Sequence, residues 1–358
     1  TINFYFADKY LRDNPSLPKE LRNDSIAPGV NPYNHQLHLF DKNQPENLEF
    51  LRKFRAVLNP YGAAAVGEVG DAQRGLEIMA EYTSGGDKVQ MCYPFEMLQP
   101  ARLTAAGLET TFARMAKAAP DGYTFLMSSG GMVSVNPHIY ARMSFDPTKD
   151  LVPVASAARV LVFLVAKPSL PVDNIQGFFK YAKENPGKLS YGSAGNGSSP
   201  HLAGEMMKSQ AGLFAVHVPY RGAAPALQDV LAGQLDFYFD PGIGLGQVRA
   251  GKLKLLAVGS LKRSPLFPNV PTLDESGLKG FDADTVFGFY APAGTPADVI
   301  SRVNREINRI LSTQALKDRI QNLGGEALPL TPAEFGARAT EDAKRFGEII
   351  RERKIVGD

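Results

Sequence analysis

The chain has 358 residues, of which 44% are hydrophobic and 21% charged, a composition typical of a globular protein with room for two or three domains. The net charge is +2 and no block of Lys and Arg stands out, which argues against a nucleic-acid-binding surface. The single Cys92 excludes an intrachain disulfide, and the longest apolar run, residues 160–166, is far too short to span a membrane.

The first residues contain no starting Met, basic segment or apolar segment, so no signal peptide is expected within this chain. His35 and His38 have a spacing that could place them on one helix face, but Pro32 is close by and a third ligand is lacking. The sequence therefore predicts neither a metal site nor a cofactor.

Residues 1–104 are rich in loops that contain Asn and Pro, and in this they differ in composition from the rest of the chain. Apolar residues recur at helical spacing over 46–58, and a short buried strand is predicted over 63–66. That strand leads into Gly-Glu-Val-Gly-Asp at 67–71, which places Glu68 and Asp71 at a strand end, where barrel enzymes carry their chemistry. A second buried strand is predicted over 91–95, with Cys92 as an inert core thiol.

These motifs resemble the alpha-glucosidases of the alpha-amylase superfamily, through residues 1–6, 11–15, 31–33, 45–48 and 67–71. The resemblance implies a partial (β/α) barrel segment in which Glu68 matches the general acid/base. Retaining hydrolysis also needs a nucleophilic carboxylate about 5 Å away. In that family the nucleophile precedes the segment matching Thr1, and the Asn-His-Asp motif of the third carboxylate is absent here. We therefore expect Glu68 to lack the other two carboxylates that catalysis needs, and the chain to have no catalytic residues.

From about residue 105 the pattern changes to alternating helices, strands and Gly/Ser loops, which predicts an α/β fold with a parallel sheet and ligands at the carboxyl ends of its strands. Two Gly/Ser loops that could face each other suggest a two-lobed binding protein. Helices are predicted over 109–117, 201–210, 224–232, 296–312 and 332–353, and strands over 123–127, 161–165, 189–191, 214–218, 235–239 and 253–258.

The loop after the strand at 189–191 has the composition of an anion cradle. Glycines at 192, 195 and 197 allow close backbone approach, and a helix follows whose first N–H groups lack internal partners. The alternative is an ordinary strand-to-helix loop, capped by Ser198 or Ser199 with Pro200 in the first turn. The loop alone does not decide between the two interpretations.

Residues 105–358 also resemble the substrate-binding proteins of tripartite tricarboxylate transporters, the Bug receptors. The motifs fall in the order of that family, with Ala-Ala-Pro-Asp-Gly-Tyr-Thr at 118–124, Tyr-Gly-Ser-Ala-Gly at 191–195, Val-Pro-Tyr-Arg-Gly at 218–222 and Pro-Asn-Val-Pro-Thr at 268–272. The resemblance implies a type II periplasmic-binding-protein fold with its second lobe over about 160–250. It further implies a non-enzymatic periplasmic receptor that passes a small carboxylate to membrane transporter subunits.

By that resemblance the ligand-binding residues are Ser128, Ser129, Ser193, Ala194, Gly195, Asn196, Gly197, Tyr220, Arg221, Gly222 and Asp240. Arg221 is either a bidentate carboxylate clamp or part of an outward salt bridge or hinge contact. Asp240 either accepts a hydrogen bond from a ligand or a water, or caps the following turn. His201, in the first turn of a helix, is expected to contact the loop backbone rather than the ligand.

One departure from the receptor pattern stands out. The family's first strand and its Pro-Phe-Ala-x-Gly-Gly loop do not precede residue 105, and the glucosidase-like segment stands in their place. The sequence is therefore interpreted as a fusion of a barrel fragment, residues 1–104, with a receptor domain, residues 105–358, that lacks its first strand and loop.

Overall fold

The computed structural model describes residues 13–16, 18, 36, 38–69, 74–94 and 105–357. The chain divides into two compact units, Thr1–Arg114 (unit 1) and Met115–Asp358 (unit 2). The predicted motifs at 1–6 and 31–33, together with His35, Gly70 and Asp71, lie outside the described residues.

Unit 1 contains a strand–helix–strand arrangement. Its elements are α1 (Glu46–Leu58), β1 (Val66–Val69), α2 (Gly75–Thr83) and β2 (Met91–Pro94), and α3 (Ala105–Ala116) starts near its end. β1 and β2 pair in parallel, so α2 is the crossover that parallel pairing requires. The helix predicted over 46–58 is confirmed at both ends, whereas the strand predicted over 63–66 begins only at Val66.

The core of unit 1 lies between α1, α2 and the strand pair. Asn47 is buried and donates a hydrogen bond from Nδ2 to the Tyr82 hydroxyl at 2.6 Å. Cys92 is a buried free thiol whose pKa burial raises to about 11, as expected for an inert core cysteine. The prediction of a buried strand over 91–95 is wrong for one face, since Met91 and Tyr93 are exposed. The buried apolar residues are Leu51, Val69, Ile78, Tyr82, Val89 and Cys92.

Unit 2 is built on two sheets. The first sheet, lobe 1, has the strand order β11-β4-β10-β3, and the second, lobe 2, has the order β7-β6-β8-β5-β9. The strands are β3 (Leu126–Ser128), β4 (Leu151–Val160), β5 (Phe163–Ala166), β6 (Ser190–Ser193), β7 (Val216–Pro219), β8 (Phe237–Asp240), β9 (Lys254–Val258), β10 (Thr285–Pro292) and β11 (Gly325–Ala327).

Helices cover these sheets. They are α4 (Gly131–Ser134), α5 (Asn136–Ile139), α6 (Ile175–Glu184), α7 (Ser199–Ala211), α8 (Ala223–Leu231), α9 (Leu245–Arg249), α10 (Ala297–Leu311), α11 (Gln314–Asn322) and α12 (Pro332–Arg353). The helix predicted over 332–353 is confirmed, and a capping box between Thr331 and Glu334 fixes its start.

Two stretches of chain connect the lobes. β4 of lobe 1 runs through Leu161 and Val162 directly into β5 of lobe 2, and the chain returns from β9 to β10. Helix α12 packs against β4 and α4 of lobe 1 and against α7 of lobe 2. Unit 2 is therefore a two-lobed α/β structure in which one long helix contacts both lobes.

The predicted parallel arrangement holds for only part of the fold. β7, β6 and β8 are parallel, but β5 pairs antiparallel with both β8 and β9. All of lobe 1 is antiparallel. The physical reason is that β5 and β10 enter their sheets from the other lobe rather than through a covering helix.

Charged side chains gather where the chain passes between the lobes. Arg345 on α12 lies 2.8 Å from Asp342 and also contacts Asp282, which precedes β10. Nearby, Arg159 at the end of β4 contacts the fully buried Asp284, whose pKa burial raises well above its usual range. Because these ions are shielded from water, each depends on its partner for stability.

Candidate functional site

The predicted loops at residues 193–197 and 220–222 lie side by side in lobe 2. Strands β6 and β7 pair in parallel with Ser193 opposite Pro219, so both loops leave the same edge of the sheet. The Tyr220 N–H donates to the Ser193 carbonyl at 3.1 Å. Each loop leads into a helix, since α7 starts at Ser199 and α8 at Ala223. The structure thus brings two helix N-termini to one sheet edge.

Residues 193–197, called the cradle below, form a turn held by its own polar groups. The Gly195 carbonyl accepts hydrogen bonds from Ser198 Oγ at 2.7 Å and from the Ser198 N–H at 3.2 Å. Gly195 has φ of +121° and Gly197 has φ of +74°, conformations that side chains with a Cβ rarely adopt. The glycines at these two positions are therefore required by the backbone path.

Backbone donors remain available at the cradle. The N–H groups of Ala194 and Ser199 make no hydrogen bond with any residue that the structure describes. Ser198 is the N-cap of α7, yet its side chain makes no capping hydrogen bond to the helix. Ala194 and Gly195 are partly exposed, and so are Asn196 and Gly197. An anion at this position would complete the donors of the first turn and lie at the positive end of the helix dipole.

Ser193 has a different environment from the other cradle residues. Its side chain is fully buried, and its Oγ lies 3.1 Å from the Gly195 carbonyl oxygen and 3.2 Å from the Gly195 nitrogen. The hydroxyl therefore shapes the turn from beneath. The expectation that Ser193 binds the ligand stays a prediction.

The second loop carries Tyr220, Arg221 and Gly222. The Tyr220 hydroxyl donates to the Asp229 carboxylate on α8, and burial raises the pKa of Tyr220 to about 12, so the phenol stays protonated. Arg221 is exposed and forms no ion pair within the described part of the chain. Gly222, with φ of +122°, is the residue before α8. Arg221 is consequently a cation at the rim of the paired loops.

Asp240 ends β8, the other strand that pairs in parallel with β6. Its Oδ2 accepts a hydrogen bond from the Gly244 N–H at 2.9 Å, which is the turn-capping role considered from the sequence. The side chain is fully buried, Oδ1 has no hydrogen-bond partner among the described residues, and burial raises the pKa to about 6. The geometry favours a structural role, while a ligand contact stays a prediction.

Ser128 is the last residue of β3 in lobe 1, Ser129 follows it before α4, and both are partly exposed. Lobe 1 meets the cradle through the following helices. A Cβ at Gly197 would lie 2.7 Å from Ile139 Cδ1 and 3.4 Å from Val135 Cγ1. The cradle therefore packs against the segment that follows Ser129.

Two histidines join the site. His201 on α7 accepts a hydrogen bond at Nδ1 from the Gly197 N–H at 3.1 Å, so its predicted contact with the loop backbone is confirmed. His217 on β7 was not identified from the sequence, and its Nε2 lies 2.7 Å from Ser193 Oγ. An available signal was its place in the Val-His-Val-Pro-Tyr-Arg run, directly before the second loop.

Glu68 lies on β1 of unit 1 and accepts a hydrogen bond at Oε1 from the Tyr93 hydroxyl at 2.9 Å. That hydrogen bond raises the pKa of Tyr93.

His38, one of the two histidines considered for a metal, has its Nδ1 2.8 Å from Asp41 Oδ1. In the residues that the structure describes there is no group of three potential metal ligands.

The comparisons with known proteins divide along the chain. The chain is 63% identical over 124 residues to a probable alpha-glucosidase of Rhizobium meliloti (strain 1021), which is 34% of this chain and only 22% of that enzyme. It is 37% identical over 243 residues to a UPF0065 protein, encoded in the tcbD-tcbE intergenic region of Pseudomonas sp. (strain P51), covering 67% of this chain and 72% of that protein.

A solved structure is similar to most of the chain. A protein of R. palustris, solved with adipate, superposes with a TM-score of 0.65 and 26% identity over 82% of this chain and 98% of its own. That alignment extends into residues before Met115. The family described as "Tripartite tricarboxylate transporter family receptor" matches residues 101–355, well over half of the sequence. The chain therefore belongs to the family of tripartite tricarboxylate transporter receptors.

Proposed function

We propose that this protein is an extracytoplasmic receptor that binds a small organic acid through its carboxylate at the cradle. The observation that carries the proposal is the pairing of the two loops, each at the carboxyl end of a parallel strand and each leading into a helix N-terminus. Such an edge concentrates unpaired N–H donors and positive dipole ends, which suit an anion. A two-lobed fold lets a second surface close over it.

The ligand class follows from the kind of donors. Backbone N–H groups at Ala194 and Ser199 recognise a carboxylate without selecting the rest of the molecule. We propose that Arg221, which is exposed in the second loop, binds the other carboxylate of a diacid. The R. palustris relative was solved with adipate, a dicarboxylate, which supports this class for the present chain.

The partners proposed for this receptor are the membrane subunits of a tripartite tricarboxylate transporter, and the compartment is the periplasm. Membership of the family supports both proposals. Within the described ranges, no helix combines the length and the apolarity that crossing a bilayer demands.

The alternative function is glycoside hydrolysis by the part of the chain that resembles an alpha-glucosidase. It rests on Glu68 and on the similarity to the R. meliloti protein, of which this chain spans about a fifth. A retaining glycosidase needs a second carboxylate about 5 Å from the acid/base. Glu68 accepts a hydrogen bond from the phenol of Tyr93, which is not a carboxylate. We propose that this segment does not hydrolyse glucosides.

A thermal-shift screen against adipate, malate, citrate and maltose tests the two functions together. A ligand that binds only the folded protein stabilises it by about 2.7 kcal/mol at a hundredfold excess over its Kd. We expect a shift with at least one carboxylate and none with maltose, followed by isothermal titration calorimetry to measure the Kd. A shift with maltose, together with cleavage of an aryl α-glucoside that Glu68→Gln abolishes, would refute the receptor function and support glycoside hydrolysis.

A further inference from the structure

The rings of His201 and His217 are stacked directly beneath the cradle. Their centroids are 3.8 Å apart and the ring planes differ by 6°. His201 comes from the first turn of α7 and is 6% exposed, while His217 comes from the neighbouring strand β7 and is partly buried. Two elements that share the sheet edge are thus joined through one pair of imidazoles.

Each ring is hydrogen-bonded to a different end of the cradle. His201 Nδ1 accepts from the Gly197 N–H at the C-terminal end of the cradle. His217 Nε2 lies 2.7 Å from the Oγ of Ser193 at its N-terminal end. Because the rings are stacked, the two ends of a glycine-rich turn are held by one rigid support. Two of its positions, Gly195 and Gly197, have positive φ and would otherwise be free to rearrange.

The geometry fixes the protonation state of His201. An Nδ1 that accepts a hydrogen bond carries no proton, so the ring is neutral. A second proton would set an N–H against the Gly197 N–H, and two imidazolium rings at this separation would repel. Burial, the largest effect, lowers the pKa of His201 to about 4, with Lys208 acting in the same direction and Glu205 against it.

The charged and titratable groups around the pair are already engaged with one another. Glu205 on α7 accepts from the Tyr191 hydroxyl of β6 at 2.7 Å, from Lys208 on α7 at 2.6 Å and from Arg353 on α12 at 2.9 Å. Lys208 also lies 5.7 Å from the centroid of the Tyr191 ring. The carboxylate is thus held by three donors, and the imidazole pair has no need to serve as its counter-ion.

We propose that His201 and His217, as a stacked pair, are positioning residues that hold the cradle in its carboxylate-binding conformation. The effect on carboxylate binding rests on the proposed function, whereas the role of the two histidines in holding the cradle does not. Removing the acceptor at His201 releases the Gly197 N–H, and the cradle then samples conformations in which its donors do not converge. Protonation of His201 at acidic pH has the same effect.

Two substitutions at one position separate the hydrogen bond from the ring. His201→Phe keeps an aromatic ring for the stack and removes the acceptor. His201→Asn places an amide oxygen near the position of Nδ1 and cannot be protonated in this pH range. Gln210→Ala, an exposed position on the same helix, is the matched control. His217→Gln keeps a polar atom near the position of Nε2 and removes the ring, so it separates the contact with Ser193 from the stacking.

The first readout is amide hydrogen exchange at Gly197, which needs no ligand. At pH 7, after correction for intrinsic rates, we expect exchange at least tenfold faster in His201→Phe than in the parent, His201→Asn or Gln210→Ala. At pH 4, close to the lowered pKa of His201, exchange in the parent should exceed that of His201→Asn at least twofold. Equal exchange in the parent and His201→Phe would overturn the proposal.

The second readout is the Kd for adipate from calorimetry at pH 7. One lost hydrogen bond of this kind should weaken binding roughly three- to tenfold in His201→Phe, and His201→Asn should restore it. If His201→Phe does not fold, the Gly197 exchange rates of the parent and His201→Asn across pH decide whether the His201 acceptor holds the cradle. If the parent binds no carboxylate, the receptor function fails, and the Gly197 exchange rates still decide whether the pair holds the cradle.

Discussion

Replacing Gly195 by Val is the most direct test of the cradle. Gly195 has φ of +121°, well outside the region open to a β-branched residue, while a Cβ would meet only the Tyr220 carbonyl oxygen at 3.5 Å, an ordinary contact distance. The cost is therefore conformational rather than steric, and we expect about 1–3 kcal/mol of lost stability unless the turn rearranges. A rearranged turn moves the Ala194 and Ser199 donors apart.

The melting temperature should fall by roughly 2–12 °C, since 1 kcal/mol corresponds to about 2–4 °C for a domain of this size. Gly212→Ala is the matched control. Gly212 is the C-cap of α7, the helix that follows the cradle, and has φ of +61° with free space around it. Its substitution therefore brings a similar backbone strain far from the cradle. Both variants should melt lower than the parent, but only Gly195→Val should lose carboxylate binding in calorimetry, by more than tenfold.

The outcomes are separable. If Gly195→Val melts like Gly212→Ala and binds carboxylates as tightly as the parent, the ligand does not use the cradle. If both variants lose binding equally, the loss reports general destabilisation. The first result would refute the assignment of the carboxylate to this loop.

Other expected outcomes concern charge. Arg345→Met should cost more than about 1 kcal/mol in urea denaturation, because it removes one of the two arginines that pair with the buried Asp342, the other being Arg338. Arg309→Met, at an exposed pair, should cost under about 1 kcal/mol, and equal costs would contradict this. Burial raises the folded-state pKa of Asp240 to about 6, so the parent loses stability as pH rises from about 4 to 6. Asp240→Asn should remove that loss, gaining roughly 3 kcal/mol relative to the parent between pH 4 and 7, and a constant difference would refute it. Arg221→Gln should weaken dicarboxylates more than monocarboxylates in calorimetry, and an equal effect would place Arg221 outside the site.

Local sequence signals were sufficient for much of this protein. The helix at 46–58 follows from its apolar spacing, and the long C-terminal helix follows from the Thr331-Pro332 start and the capping glutamate. The positive-φ glycines of the cradle were also visible, because only glycine adopts those angles without strain. Motif order was enough to identify the receptor family, which the comparisons confirm.

Of the strands of lobe 1, β3 overlaps the strand predicted over 123–127, whereas β4, β10 and β11 were not predicted from the sequence. β4 contains Pro153 and several alanines, which weaken the strand signal, whereas β10 has the Val, Phe and Tyr residues typical of a strand but was not identified. They are strands because they pair with each other, although more than a hundred residues separate them in the chain. Cross-strand pairing is a property of the partner surface, and a local window contains no information about it.

The roles of polar side chains were decided in the same way. Asp240 caps a turn and Ser193 lies beneath one, although both residue types in such loops are equally compatible with a ligand contact. His217 became part of the site only because β7 lies beside β6 and its ring stacks on His201. The sequence by itself determined which loops have the backbone freedom to hold an anion, because that freedom belongs to individual residues. Only the tertiary structure decided which groups face one another across those loops, because that depends on contacts between distant parts of the chain.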